Sequence, residues 1–455
     1  MMKPLSLRTI AEVTGGAYIG EPEKLDTRIT GVVRDNREVQ EGYLFVCIVG
    51  ERVNGHAYTK GAYEAGAAGC LCQERLSDPA GPYILVDNTL SALKKLAKYY
   101  RSLFSIPVIG VIGSVGKTSA KEMTSAVLAR HFRVHKTSAN LNNELGVPLT
   151  VLGLQEETEA AVVEMGISDF GEMSRLADIV RPTAVIMTNI GYCHLENLKN
   201  LDGVLKAKSE VFAYMEPSAH AVVCGDDEKL SALVPGVVKH TYGLTAGCDL
   251  RAEQVESLGF GGLSCVITDG NERFSVKIPA FGSHMVLAAL AAASVGRLLG
   301  LTAEEIAAGI GDYRTVGGRA NVRQGKTLTV VDDCYNANPN SMSASLRSLA
   351  GLSGRKVAVM GDMRELGEDS HALHEKIGAL AAELGIDSVL CCGEEAKWME
   401  TGYRAANGRG ELAYFPEKKL LLEKLPELVK AGDTVLVKAS HSLHFEELVE
   451  ALLAL

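Results

Sequence analysis

The stretch Gly113-Ser114-Val115-Gly116-Lys117-Thr118-Ser119 has the residue types of a loop that binds phosphate. Glycines let backbone N–H groups approach phosphate oxygens, a lysine can neutralise the β- and γ-phosphates, and a threonine hydroxyl can hold Mg²⁺. An apolar run ends just before the loop and a helical pattern follows it, so a helix N-terminus would add its positive end. The spacing departs from GxxxxGK[ST], because Val111 stands at the first glycine position. The segment predicts a nucleoside triphosphate site, with a plain glycine-rich turn as the alternative.

Three polar residues farther along the chain have the chemistry of a metal site. Glu164 ends an apolar run, His194 follows the run AVIMTNIG, and Lys208 lies in KAKSE. Because ligands in open α/β folds gather at the carboxyl ends of the strands, Glu164 and His194 fall where phosphate-bound Mg²⁺ would lie. Each residue alone is better explained as a hydrogen-bonded or solvated side chain, and only its combination with the loop favours a metal site. Lys208 would be an unusual metal ligand, because an ammonium group has no free lone pair.

Short apolar runs that alternate with helical patterns must position these residues. The alternation predicts an α/β fold in three domains: a small N-terminal α/β domain (1–105), a central P-loop-type ATPase domain with a parallel sheet (106–314), and a C-terminal Rossmann-like α/β domain (315–455). A glycine-marked linker, TVGGRA, leads into the third domain. The predicted strands are 43–49, 69–72 and 83–86, then 106–113, 160–165, 184–189 and 221–224, then 328–331, 356–360, 388–391 and 434–437.

The overall composition excludes several classes of protein. The chain has 455 residues, 47% of them hydrophobic, and 46 Lys+Arg against 56 Asp+Glu give a net charge of -10. Without a basic block, nucleic acid and anionic membrane surfaces are not expected partners. No secretory signal and no apolar run of the roughly 20 residues that a membrane span needs is found. The ten cysteines include no CxxC pair, so we expect reduced, buried thiols in a cytoplasmic protein.

Taken in order, GSVGKTS, NLNNELGVP, the Glu164 strand, TNIGYCHLE and KAKSE resemble the Mur ligases of bacterial cell-wall synthesis. In the third segment, DDCYNANPNSM and MGDMRELGEDS, followed by His374, resemble the members that add D-alanyl-D-alanine to UDP-N-acetylmuramoyl-tripeptide. The resemblance implies an ATP-dependent peptide ligase of peptidoglycan precursor synthesis. ATP would phosphorylate the carboxylate of the UDP-peptide, and the dipeptide amine would attack the acyl phosphate. We expect a monomer.

The resemblance also implies roles for individual residues. Thr118 and Glu164 would bind one Mg²⁺, and His194 and Lys208 would serve a second, with Lys208 carbamylated by CO₂ into a carboxylate-like group. Lys117 and Arg319 would place positive charge at the γ-phosphate. The other residues implied are Gly113, Ser114, Val115, Gly116, Ser119, Asp333 and Asn336 for the nucleotide, Asp35, Asn36, Arg37, Asn54, Gly55 and His56 for the UDP group, and Asn142, Asn143, Lys438 and Ser440 for the substrates.

Several positions depart from the family's motifs. Asn36 stands in place of a serine and Asn54 in place of an aspartate, while His441 replaces the arginine of K-G-S-R. Met285 and Ala288 replace two asparagines, one of which the family uses near adenine. Three alternatives stay open: another amide ligase of the same superfamily, a P-loop ATPase switch without ligase activity, and a non-catalytic paralogue.

Overall fold

Three larger β-sheets follow one another along the chain, each flanked by helices. The computed structural model describes residues 2–270 and 272–455. Over those residues, no helix combines the length and the apolar character that crossing a membrane requires.

The first sheet has five strands in the order β2-β7-β6-β5-β4, parallel except for the antiparallel pair of β2 and β7. The side chain of Asn88 caps the first turn of its longest helix by accepting the N–H of Ser91. The elements are β1 (Leu5–Ser6), α1 (Leu7–Thr14), β2 (Ala17–Ile19), β3 (Arg28–Ile29), β4 (Gly31–Val33), β5 (Tyr43–Val46), α2 (Thr59–Glu64), β6 (Gly69–Cys72), β7 (Tyr83–Leu85) and α3 (Thr89–Ser102).

The central sheet has nine strands in the order β16-β15-β14-β13-β12-β11-β8-β10-β9. Its elements are β8 (Val108–Ile112), α4 (Lys117–Leu128), β9 (Val134–Lys136), α5 (Gly146–Leu152), β10 (Ala160–Glu164), α6 (Glu172–Val180), β11 (Ala184–Met187), α7 (Leu195–Leu198), α8 (Leu201–Ser209), β12 (His220–Cys224), α9 (Glu228–Ser231), β13 (Val238–Gly243), β14 (Leu250–Ser257), β15 (Leu263–Thr268), β16 (Arg273–Ile278), α10 (Met285–Leu298) and α11 (Ala303–Gly311).

The central sheet departs from the wholly parallel arrangement that the sequence predicted. Strands β8 to β14 pair in parallel with one another. Strands β14, β15 and β16 form an antiparallel extension at one edge of the sheet. Most residues of these three strands alternate between buried and more exposed positions, so they lack the continuous apolar run that identifies a strand buried on both faces.

The third sheet has six strands in the order β17-β18-β22-β19-β20-β21, parallel except for β17. Its elements are β17 (Asn321–Gln324), β18 (Thr329–Asp332), α12 (Pro339–Ala350), β19 (Lys356–Gly361), α13 (Ser370–Glu383), β20 (Ser388–Cys392), α14 (Lys397–Ala405), β21 (Glu411–Phe415), α15 (Lys418–Leu428), β22 (Thr434–Lys438) and α16 (Glu446–Ala454).

Candidate active site

The segment between β8 and α4 forms the loop that the sequence predicted. Gly113 has φ 141° and Gly116 has φ 81°, in the region that favours glycine. A Cβ on Gly113 would lie 1.9 Å from Oγ1 of Thr188, so no other residue fits there without a shift. The Nζ of Lys117 donates to the carbonyl of Gly113 at 2.9 Å and to that of Ser114 at 3.3 Å. These contacts hold the ammonium group across the loop.

Two residues that follow β11 fix the shape of this loop. The side chain of Asn189 accepts the N–H of Val115 at 3.0 Å and donates to the carbonyl of Val115 at 3.0 Å. The hydroxyl of Thr188 donates to the same carbonyl at 2.6 Å. We did not predict either residue as part of the site. The available signal was their position, because they directly follow a buried strand that neighbours β8.

Glu164, at the end of β10, lies next to the loop because β8 and β10 are neighbours. Its Oε2 accepts the hydroxyl of Thr118 at 3.0 Å, and its Oε1 accepts the amide of Asn142 at 2.8 Å. Glu164 is 2% exposed and Thr118 is 4% exposed. The pair therefore presents a carboxylate and a hydroxyl, which are the oxygen donors that a hard divalent cation takes.

His194 lies on the wall of the same cavity but is engaged with the third domain. Its Nδ1 is 2.5 Å from Oε2 of Glu365, and the N–H of Leu195 donates to the Glu365 carbonyl at 3.1 Å. The hydrogen bond from His194 lowers the pKa of Glu365. Glu365 was not predicted as a site residue, because nothing local in the sequence links it to His194.

Lys208 lies in α8, 2% exposed, behind the cavity wall and not on it. Burial lowers its pKa to about 8, with the charge of Lys117 acting in the same direction and Cys193 opposing it. The described residues offer its ammonium group no hydrogen bond and no ion pair. A buried lysine without a partner is disfavoured in its charged form.

The third domain contributes a buried ion pair. Nζ of Lys438, at the end of β22, lies 2.6 Å from Oδ2 of Asp333 and donates to the carbonyl of Asn336 at 3.1 Å. The same carboxylate accepts the hydroxyl of Ser345 at 2.6 Å and the N–H of Ala320 at 3.0 Å. Since both charged groups are buried and bonded, removing either would leave the other uncompensated.

Arg319 and His441 lie on the ring of Tyr335. The guanidinium of Arg319 is 3.9 Å from the ring centroid, and the His441 ring stacks on Tyr335 with centroids 5.2 Å apart. Tyr335 also lines the cavity and was not predicted as a site residue. His441, which replaces the family arginine, therefore stacks on the ring of Tyr335.

A single cavity of about 780 Å³ brings most of the predicted site residues together. Its walls include Met285 and Ala288 at the start of α10, next to His284, whose Nδ1 is buried and has no hydrogen-bond partner among the described residues. Gly113 and Ser440 do not line the cavity. The predicted residues that do are 114–119, Asn142, Asn143, Glu164, His194, Arg319, Asp333, Asn336 and Lys438.

The residues predicted for the UDP group lie in the first domain, away from this cavity. Asp35 and Arg37 pair at 2.5 Å, and the hydrogen bond from Arg37 lowers the pKa of Asp35 to about 2. The side chain of Asn54 accepts the N–H of His56 at 3.0 Å, and Gly55 lies between them. Asn36 begins a short 3-10 turn.

The fold and the cavity are those of a ligase family with three domains. Profiles of the Mur ligase catalytic domain, the Mur ligase middle domain, and the Mur ligase glutamate ligase domain match residues 28–101, 111–296 and 318–441. The chain is 35% identical over 453 residues, 98% of each chain, to "UDP-N-acetylmuramoyl-tripeptide--D-alanyl-D-alanine ligase" of Bacillus subtilis (strain 168). The chain belongs to the Mur ligase family.

Other relatives are similar over nearly the whole length. The protein of the same name from Escherichia coli (strain K12) is 35% identical over 95% of this chain and 96% of its own. MurF from Acinetobacter baumannii superposes with a TM-score of 0.91 at 30% identity, covering 99% of both chains. MurF from Thermotoga maritima in complex with ADP gives a TM-score of 0.81 at 30% identity, covering 92% of this chain and 96% of that one.

Proposed function

We propose that this chain is an ATP-dependent ligase that joins D-alanyl-D-alanine to UDP-N-acetylmuramoyl-tripeptide, giving the pentapeptide, ADP and phosphate in peptidoglycan precursor synthesis. The observation that carries the proposal is the single cavity that the phosphate loop and the third domain line together. A phosphate loop alone would serve an ATPase switch, but a ligase must hold ATP beside two further substrates. The identity of 35% over 98% of the chain to a ligase of this name supports the same conclusion.

The reaction needs two successive attacks in one place. A carboxylate oxygen of the UDP-peptide attacks the γ-phosphorus and ADP leaves; the dipeptide nitrogen then attacks the acyl carbon, phosphate leaves, and the nitrogen loses a proton. Phosphoryl transfer depends mainly on positioning and on charge stabilisation. Lys117 and Arg319 both line the cavity and supply that positive charge. Asp333 and Asn336 would contact the nucleotide from the third domain.

Magnesium ions fit the donors that the site contains. Thr118 and Glu164 would hold one ion beside the phosphates, where it would neutralise charge on the γ-phosphate. His194, with a modified Lys208, would hold a second ion. His194 could keep its contact with Glu365, because that contact uses Nδ1 (2.5 Å from the Glu365 carboxylate) and a cation would be bound through Nε2. Two ions are therefore part of the proposal.

Carbamylation of Lys208 is supported by its surroundings. Only a neutral amine reacts with CO₂, forming an N–C bond and losing a proton, and burial lowers the pKa of Lys208 to about 8. The amine is thus partly neutral at physiological pH. The product is an anionic carbamate, so no buried ammonium group is left without a hydrogen-bond partner.

The substrates would extend in two directions from the nucleotide. The first domain, 1–105, would hold the UDP group, while the central domain, 106–314, would hold ATP. The third domain, 315–455, would present the dipeptide near Lys438 and Ser440, and Asn142 and Asn143 would contact the UDP-peptide. We further propose that the protein acts as a cytoplasmic monomer.

The test is phosphate release from ATP and Mg²⁺ with each substrate alone and with both. Release that requires both substrates, with pentapeptide as product, is expected. Release with neither would indicate an ATPase switch. Binding of UDP-peptide without turnover would indicate a non-catalytic paralogue, and Met285→Asn with Ala288→Asn would then be the first variant to try, because both residues line the cavity.

A further inference from the structure

A cluster of sulfur and nitrogen side chains lies in the first domain, outside the cavity described above, and includes His56, one of the residues predicted for the UDP group. Cys72 ends β6, and Cys47 directly follows the neighbouring strand β5. Their Sγ atoms are 3.6 Å apart, and a ring nitrogen of His56 lies within 4.8 Å of both. Over residues 2–270 and 272–455, no other group of three or more His, Cys, Asp or Glu side chains is so close together.

The spacing of the two sulfur atoms suits one metal ion. With Zn–S bonds of about 2.3 Å, two thiolates of a tetrahedral zinc site lie about 3.8 Å apart. Cys47 and Cys72 are 0% exposed and His56 is 8% exposed, so an ion there would be shielded from solvent. All ten cysteines are free thiols, which leaves both sulfur atoms available as ligands.

His56 is already oriented as a metal-binding histidine is. Asn54 Oδ1 lies 2.6 Å from Nδ1 and fixes the tautomer in which Nδ1 carries the proton. The lone pair is then on Nε2, which accepts the N–H groups of Gln73 at 3.0 Å and Glu74 at 3.2 Å. Histidines that bind metals through one nitrogen usually donate the other N–H to an oxygen in this way. A metal would take the lone pair from these two N–H groups.

We propose that Cys47, Cys72 and His56 form a binding site for a thiophilic divalent cation of the zinc class. Metal binding must displace the thiol protons, because metals bind thiolates.

The test uses the reduced, metal-free full-length chain without nucleotide. Titration with Co²⁺ should give a sulfur-to-cobalt charge-transfer band at one equivalent, and Zn²⁺ should displace it. X-ray absorption of the zinc-loaded protein should show two sulfur neighbours at about 2.3 Å and a nitrogen neighbour. Zinc binding near pH 7 should release about two protons. The oxygen donors at Thr118 and Glu164 cannot produce the sulfur band, so the two sites are distinguished.

Variants give an independent check of the ligands. Cys72→Ser should remove the charge-transfer band, and Asn54→Ala should weaken zinc binding by about 10–100-fold, the usual effect of losing a hydrogen bond to a ligand histidine. Cys248→Ser, a thiol outside the cluster, should bind zinc like the parent. No sulfur band in the parent, or equal zinc binding by the parent and Cys72→Ser, would overturn the proposal. If Cys72→Ser fails to fold, the X-ray absorption of the parent decides.

Discussion

His194 and Glu365 join the central and third domains, with Nδ1 of the imidazole 2.5 Å from Oε2 of the carboxylate. Both residues have left-handed backbones, with φ 52° for His194 and φ 64° for Glu365. Such conformations are uncommon for residues other than glycine. The two side chains therefore meet through specific turns in each domain, and because the pair uses Nδ1, a second cation would be bound through Nε2.

We predict that Glu365→Gln raises the Mg²⁺ concentration for half-maximal ligase activity by up to about fivefold, because the carboxylate on Nδ1 orients the His194 ring for a cation on Nε2. The carboxylate is 58% exposed, and a pair this exposed contributes about 1 kcal/mol at most. Steady-state rates across a Mg²⁺ titration measure the effect. Glu368→Gln, which removes an exposed charge nearby, serves as the control. A lower Mg²⁺ requirement in Glu365→Gln would show instead that the pair holds His194 away from the cation.

Lys208→Ala should abolish ligase activity if the lysine acts as a carboxylate. Short acids such as acetate or formate should then restore part of the rate, since they can occupy the space that the side chain leaves. Rates with and without added acid measure this, and Lys206→Ala, on the same helix, is the matched control. Full activity in Lys208→Ala without any response to bicarbonate or acids would contradict the assignment.

Lys117→Met should lower kcat by about 100- to 1,000-fold, because one preorganised charge at the transferred phosphate is lost. Its folding stability should change little, since Lys117 donates only to carbonyls of its own loop. Single-turnover assays and a thermal melt measure the two properties. Lys229→Met, which changes a half-buried lysine of the same domain that pairs with Asp202, should retain the parent rate. A loss of stability comparable to the loss of rate would mean that Lys117 is structural.

From the environment of Tyr100 we predict that the protein loses folding stability at alkaline pH. Burial raises its pKa from 10.0 to about 12, so the unfolded chain releases the phenol proton first. The stabilisation is complete below pH 10 and is lost as the pH rises from 10 through 12, by on the order of 2 kcal/mol. Tyr100 donates to the Leu154 carbonyl at 2.7 Å and accepts the Lys3 N–H at 2.7 Å.

Denaturant unfolding of the parent and of Tyr100→Phe between pH 7 and 12 tests this. The variant should be less stable at pH 7 by about 1–3 kcal/mol, because the two backbone partners lose their hydrogen bond. The difference should shrink above pH 10. Parallel curves over the whole range would show that the ionisation of Tyr100 does not contribute.

The sequence predicted best those strands and loops that are formed by residues next to one another along the chain. Strands such as β8 and β19 were found because a strand buried on both faces is a continuous apolar run. The phosphate loop was found because its residues are consecutive. The pair of Lys438 and Asp333 is different, since the two residues are 105 positions apart and meet only because β18 and β22 are neighbours.

Strand order also explains what was missed at the site. Thr188 and Asn189 begin the TNIGYCHLE motif, but their contact with the phosphate loop follows from the pairing of β11 with β8, which the motif does not reveal. The antiparallel β14–β16 edge was missed because its residues alternate between buried and more exposed positions. The contact between His194 and Glu365 depends on how two domains pack together, a property that a single sequence does not encode locally.

The linker residues around Arg319 form hydrogen bonds and a ring contact with the third domain. The carbonyl of Gly318 accepts the N–H of Tyr335 at 2.9 Å, Ala320 donates to Asp333 at 3.0 Å, and the guanidinium lies on the Tyr335 ring. Arg319 is therefore anchored to the third domain, and not to the central domain, on both sides of its position in the chain. Arg319 and Lys117 line one cavity from different domains, so on the proposed function the positive charge at the γ-phosphate depends on the third domain being docked on the central one.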